Sequence, residues 1–226
     1  MSDLQELQHQ LGYRFNEIGL LQEALTHRSA AARHNERLEF LGDSVLNFVI
    51  AQEIFRRRPQ DSEGSLSRLR ASLVNRSTLA EIARGLNLGS HLRLGGGELK
   101  SGGHRRDSIL ADTLEAVIGA AYLDSDFYSV AAMVVALYRE RLDSLPDEGL
   151  LKDPKTRLQE KLQSTRRPLP EYQVLDVSGR AHHQMFRVEC RLVDSEQRSV
   201  GEAGSRRQAE QQAAATMLGV LGGEEA

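Results

Sequence analysis

Up to about Leu145, apolar residues return every three or four positions with few β-branched alternations, which is the spacing of amphipathic helices. The runs LLQEALTHR (20–28), LEFLGDSVLNFVIAQEIF (38–55), SLSRLRASLVNRSTLAEIARGL (65–86), SILADTLEAVIGAAYL (108–123) and YSVAAMVVALYRERL (128–142) carry it. An all-α domain follows. One segment interrupts the pattern: GSHLRLGGGELKSGGHRR (89–106) holds six glycines, too many for a helix interior, and is expected to be a loop.

Near SLPDEGLLKDPKT (144–156) the periodicity stops, and two prolines among charges mark a linker. Beyond it, TRLQEKLQS (156–164) reads as a short helix with Asp153 as its cap and Pro154 in its first turn. EYQVLDVSG, HQMFRVECRLV and RSVGEAG then alternate at period two between polar turns, as three antiparallel strands would. The chain closes with SRRQAEQQAAATMLGVL, an Ala-rich helix capped by Ser205. The expected architecture is therefore an all-helical domain over 1–147, a linker over 148–153 and a small α-β-β-β-α domain over 154–222.

Composition agrees with two folded domains. At 226 residues, with 40% hydrophobic and 27% charged, the chain can bury a core and is too balanced for disorder. No window approaches the roughly 20 apolar residues of a membrane span, and the first residues carry no apolar run, so a cytoplasmic protein without membrane contact is expected. Cys190, the single cysteine, excludes a disulfide framework and reads as a buried strand thiol. From Lys152 onward 12 basic residues face 11 acidic ones, whereas the preceding part has 17 against 21. An acidic front and a mildly basic back fit a chain that holds cations in one part and meets a polyanion with the other.

The stretch NERLEFLGDSVLNFVI (35–50) poses a chemical problem, because carboxylates sit among residues that should form a core. On a helix, Glu36 and Asp43 lie within about 20° of one another, with Glu39 about 60° away. Glu39 and Asp43 are an i,i+4 pair of like charge with no base between them. Asp112 and Glu115 repeat the arrangement inside SILADTLEAVIGAAYL, and Glu63 in DSEGSLSRL is a further candidate. Any one of these acids is ordinarily a solvated helix face. Two apolar helices each carrying an acidic cluster are harder to explain so, because unpaired buried carboxylates are costly. A divalent cation removes that cost. Hard oxygen ligands without clustered His or Cys select Mg²⁺ or Mn²⁺ over zinc, and such a site suits phosphodiester hydrolysis.

NERLEFLGDSVL resembles the signature motif of bacterial ribonuclease III. ALTHRS before it, EGSLSRLRASLV and GGELKSGGHRRDSILADTLEAVIGAAYLD after it, and the C-terminal module extend the likeness over nearly the whole chain in family order. The resemblance implies an endonuclease that hydrolyses both strands of double-stranded RNA, leaves 5′-phosphates and short 3′ overhangs, and processes ribosomal, messenger and transfer RNA precursors. It implies Glu39, Asp112, Glu115 and Asp43 as metal ligands, with Asp43 and Glu115 as the catalytic pair and Glu36 and Glu63 as auxiliary acids. Mg²⁺ is the implied ion, with Mn²⁺ as a substitute and no small-molecule cofactor. A homodimer is implied, with Phe40 plugging into the other subunit; an ordinary core Phe is the other reading of that residue.

The C-terminal module resembles a double-stranded RNA-binding domain. Thr156, Gln159, Glu160 and Gln163 match helix positions that meet the minor groove, and His182 lies in a strand loop that reaches the next one. Arg206 and Arg207 match phosphate contacts at the start of the last helix. Glu202 beside that helix and His183 beside His182 depart from the family pattern and bear on RNA affinity. A duplex-RNA-binding protein that does not cut, and a phosphohydrolase of small nucleotides, are the alternatives. The retained acids speak against the first and the second domain against the other.

Overall fold

The computed structural model describes residues 3–146, 153–180 and 184–223. The chain divides into two compact units, Met1–Leu145 and Pro146–Ala226. Apart from Asp153, the linker expected over 148–153 lies outside the described residues, as do His182 and His183.

The first unit is helical: α1 (Asp3–Leu11), α2 (Ile18–Ala24), α3 (Glu36–Arg57), α4 (Glu63–Leu73), α5 (Arg76–Gly85), α6 (Leu88–His91), α7 (Gly96–Lys100), α8 (Asp107–Asp124), α9 (Phe127–Leu137) and α10 (Arg139–Asp143). Its centre is α8, buried on nearly every side by Ile109, Leu110, Leu114, Val117, Ile118 and the alanines between them. A helix apolar all round must be enclosed, and α2, α3, α5 and α9 pack around this one.

The α3–α8 contact is the closest of these. A Cβ on Gly42 would lie 1.8 Å from the Glu115 carbonyl oxygen, and one on Gly119 would lie 2.2 Å from the Leu38 carbonyl oxygen. Two glycines thus let the helix backbones touch, at the expense of helix propensity in both. At its far end α8 is tied down by Asp124, whose carboxylate accepts from Asn16 N–H at 2.8 Å, Glu17 N–H at 2.7 Å and the Tyr13 hydroxyl at 2.8 Å. These bonds hold the Asp124 carboxyl below its usual range although burial works against them.

The helical period across 65–86 is carried by two helices, because Asn75 accepts from Thr78 N–H at 3.0 Å and starts α5 afresh. One sequence expectation is corrected here. The glycine-rich 89–106 segment is not an irregular loop, because it forms the end of α6, all of α7 and a 3₁₀ turn at Gly103–Arg105. Most of its glycines do not serve left-handed backbone; Gly102 alone among them has positive φ, at 77°. Close approach is what three of them permit: a Cβ on Gly95 would lie 2.2 Å from the Ser29 carbonyl oxygen, one on Gly89 2.3 Å from that of His104, and one on Gly103 2.9 Å from that of Glu98.

The second unit has the expected order: α11 (Pro154–Ser164), β1 (Glu171–Ser178), β2 (Met185–Arg191), β3 (Arg198–Ala203) and α12 (Arg206–Gly223). The sheet is antiparallel in the order β1-β2-β3, with a register shift between Val174 and Asp176. Asp153 caps α11 by accepting from Thr156 N–H at 3.1 Å. Leu158, Leu162, Cys190, Leu192, Ala213 and Met217 are among the residues that form the core. Cys190 is the buried strand thiol that was expected, and burial pushes its thiol up.

Gly119→Ala should be among the most damaging small substitutions in the first unit. Overpacking against backbone that cannot move aside costs about 3 kcal/mol. Thermal unfolding should show Tm lowered by roughly 6–12 °C at that cost, whereas Gly97→Ala, with nothing within 4 Å, should leave it unchanged.

Candidate active site

The contact between α3 and α8 sets two acidic turns against each other. Glu39 stands one turn before Gly42, and Asp112 and Glu115 occupy the matching turns of α8. One carboxylate oxygen from each of Glu39, Asp112 and Glu115 lies within 4.8 Å of the others. Asp43 is not in this group. It is exposed on the next turn of α3, where its carboxylate accepts from Asn47 Nδ2 at 2.7 Å.

The electrostatics are those of a site where burial and acid–acid repulsion outweigh the nearby positive charge. Burial, followed by repulsion from Asp43, Asp112 and Glu39, pushes the Glu115 carboxyl up to about 8, with Arg76 opposing. Burial also raises Glu39, helped by Asp112, Glu36 and Asp43, and it raises Asp112 against the pull of Arg76 and of His27. Like charges in a partly desolvated space are held apart by little else. This donor set, hard oxygens without nitrogen or sulfur, fits an oxygen-loving divalent cation, whose charge would reverse each of these shifts.

A hollow of about 650 Å³ opens beside the cluster, with Glu39 and Asp112 on one wall. Glu36 is on its rim and exposed, paired with Arg28 at 3.1 Å. Arg106 lies on the rim as well, held by Glu98 at 2.6 Å. Glu63 does not line the hollow: it is in the first turn of α4 and accepts from the Ser67 hydroxyl at 2.7 Å. His27 and Asn35 line the hollow too, and Arg76 bears on two of the acids. None of these three stood out in the sequence. Their only signal was position, His27 and Asn35 in the segments leading into the α3 acids and Arg76 just after a helix cap.

Phe40 is 79% exposed, which removes the core reading of that residue within one chain. Phe48 and Phe55 on the same helix are exposed as well, and Phe48 stacks edge-on against Phe127. A shallow apolar hollow of about 430 Å³ lies between them, lined by Leu41, Val45, Phe48, Tyr122 and Phe127 among others.

In the second unit α11 exposes Gln159, Glu160 and Gln163. Thr156 is occupied otherwise, since its hydroxyl donates to Asp153 at 2.9 Å as part of the cap. Arg206 is held by Glu210 at 2.9 Å, while Arg207 is exposed without a partner among the described residues. Glu202 is answered by Arg187 across β2 and β3 at 3.3 Å, so its charge is not left standing beside the start of α12.

The Ribonuclease-III-like family model matches residues 17–142, and the double-stranded RNA binding motif matches 154–221. The chain is 64% identical over 212 residues to Ribonuclease 3 of Alkalilimnicola ehrlichii, covering 94% of this chain and 93% of that relative. It is 57% identical over 220 residues to Ribonuclease 3 of Nitrosococcus oceani, covering 96% and 94%. Among solved structures, the nuclease domain of ribonuclease III from Campylobacter jejuni superposes with a TM-score of 0.62 at 40% identity, covering 65% of this chain and 100% of that one. A second structure of that domain, described for flexibility in a region involved in dimer formation, gives 0.60 at 42% identity, covering 61% and 97%.

The raised Glu115 carboxyl makes stability depend on pH in a predictable direction. Between its ordinary 4.5 and about 8, native metal-free protein holds a proton that the unfolded chain has lost, so stability is full at the acidic end and falls as pH rises. Thermal melts in chelator should therefore show Tm decreasing from pH 5.5 to 8.5. Saturating Mg²⁺ should raise Tm more at pH 8 than at pH 6, and Glu115→Gln should flatten the chelator curve. A chelator curve that rises over this range would contradict the placement of Glu115.

Proposed function

The chain belongs to the ribonuclease III family, and from that membership we propose how its residues share the work of cutting an RNA duplex. It is a metal-dependent endoribonuclease acting on double-stranded RNA. Glu39, Asp112 and Glu115 hold Mg²⁺, with Mn²⁺ as a substitute, and Asp43 completes the ligand set from the adjacent turn. The convergence of three carboxylates within 4.8 Å on two packed helices is the observation that carries this reading.

A divalent cation held there supplies charge to the phosphoryl oxygens and makes water a stronger nucleophile. The protein's share is positional. Glu115 and Asp43 orient the attacking water and accept its proton, while the apolar body of α8 behind Glu115 keeps the carboxylates from turning away. Glu36 and Glu63 act as outer acids. Phosphodiester hydrolysis in both strands then leaves 5′-phosphates and short 3′ overhangs, on structured precursors of ribosomal, messenger and transfer RNA in the cytoplasm.

Cutting both strands in one encounter needs two such sites. One chain supplies one, so the working form is a homodimer joined through the exposed α3 face, with Phe40 seated in the apolar hollow beside Phe48 of the other copy. Residues 1–147 carry cutting and dimerisation, and 154–222 carry duplex binding. There Gln159, Glu160 and Gln163 meet the minor groove, His182 the next groove, and Arg207 a phosphate. Arg206 joins it by releasing Glu210, and Thr156 acts through its cap.

Glu115→Gln should lower the cleavage rate of a long RNA duplex in Mg²⁺ by about 10³-fold, some 4 kcal/mol of activation free energy, while duplex affinity in a gel-shift assay is kept. Parallel loss of affinity would make Glu115 a structural residue.

Phe40→Ala should weaken the dimer by about 2 kcal/mol or more, as removal of a central aromatic anchor does. Sedimentation would then show a monomer of about half the dimer's mass at micromolar concentration, and an unchanged association constant would place the interface elsewhere.

A further inference from the structure

The hollow beside the acidic cluster must admit a polyanion, yet its charged walls oppose one. Glu36, Glu39 and Asp112 line it. Of the guanidinium groups on the same walls, Arg28 is committed to Glu36 and Arg106 to Glu98. The neutral polar side chains on those walls are His27, Ser29, Asn35 and Ser108, and of these His27 and Asn35 carry a nitrogen that can donate to an anion.

Asn35 precedes the first residue of α3 with helical backbone, φ −76° and ψ −15°, so its side chain is not set to cap the helix and makes no cap hydrogen bond. The residue is 3% exposed and its carboxamide has no partner among the described residues, although its backbone N–H donates to the Thr26 carbonyl at 2.9 Å. Its carboxamide therefore keeps hydrogen-bonding capacity to spare, and it lines the hollow.

His27 is held on its other edge. Ser29 N–H donates to His27 Nδ1 at 3.2 Å, and Ser29 Oγ lies 2.8 Å from the same nitrogen. Gly95 N–H donates to Ser29 Oγ at 2.9 Å, which leaves the hydroxyl proton free to point at Nδ1. A nitrogen that accepts these bonds carries no proton, so Nε2 must carry it. The platform is rigid: His27 N–H donates to the Arg93 carbonyl, and Thr26 pairs with Arg93 as an isolated bridge. Gly95 is required there, since a Cβ would strike the Ser29 carbonyl.

We propose that His27 Nε2–H and the Asn35 carboxamide form a neutral donor pair that binds the non-bridging oxygens of an RNA backbone phosphate entering the hollow beside Asp112. Neutral donors suit this position because a fixed cation among the carboxylates would compete with the metal for them. The inference rests on the acidic cluster being the cutting centre.

The test uses the full-length dimer with a long RNA duplex. His27→Ala and Asn35→Leu should each raise KM about 10-fold or more, with Mg²⁺ affinity of the RNA-free protein unchanged by calorimetry. His27→Gln should recover most of the loss. The salt dependence of binding should keep its slope in both variants, because a neutral donor releases no counterion, whereas Arg207→Ala should reduce the slope by about one unit. Nitrogen-15 NMR of the wild-type imidazole needs no variant to fold: it should report the Nε2–H tautomer, and Glu115→Gln with bound duplex should shift Nε2. A KM within two-fold of wild type in both variants, an Nδ1–H tautomer, or a parallel loss of Mg²⁺ affinity would overturn the proposal. If Glu115→Gln itself cuts at the wild-type rate, the assignment of the cutting centre has failed instead.

Discussion

Backbone contact between α3 and α8 at Gly42 and Gly119 is the constraint on which the first unit depends. Two helices normally pack with axes 8–10 Å apart, separated by side chains. Here the facing positions have none, and the Glu115 and Leu38 carbonyls fill the space where Cβ atoms would be. The approach draws Glu39 onto the turn that carries Asp112 and Glu115. A wider separation would carry Glu39 away from Asp112 and Glu115, which lie within 4.8 Å of it here. The glycines that weaken both helices are thus what assembles the site.

The charges of the two units are handled in opposite ways. On the sheet of the second unit three acids meet a base across the strands: Glu171 with Arg191, Glu189 with Arg198, Glu202 with Arg187. Cross-strand pairs of opposite sign support a register, so these charges stabilise the sheet as well as solvating it. At the α3–α8 contact the acids meet other acids, and Glu115 is driven to hold its proton near neutral pH. Local frustration of this kind is what functional sites retain, and the fold bears it because α8 is buried almost throughout.

The glycine-rich 89–106 segment links these themes. Its glycines bring backbone against Ser29 and His104, so a stretch that looks structureless becomes a support for the loop before α3. Through Gly95 and Ser29 that support reaches His27 and fixes its imidazole. Asp124 serves an equivalent purpose at the other end of α8, gathering the turn between α1 and α2 onto one carboxylate.

The sequence alone determined the helical period of the first unit, the α-β-β-β-α order of the second, and the presence of carboxylates where a core should be. Those are local facts: periodicity, turn residues and like charges at helical spacing act over a few residues and are legible within a window. It could not say that Asp43 stands outside the group of three, that Glu63 is absent from the hollow, or that Thr156 is spent on a cap. Nor did it single out His27 and Asn35, whose meaning comes from the Gly95–Ser29 support and from the hollow that both line. Which carboxylates converge and which donors stay free depend on helix–helix distance and on partners far along the chain, 66 residues apart for Ser29 and Gly95. Only tertiary packing decides those, because backbone approach is set by the space left between elements and not by the propensity of either one.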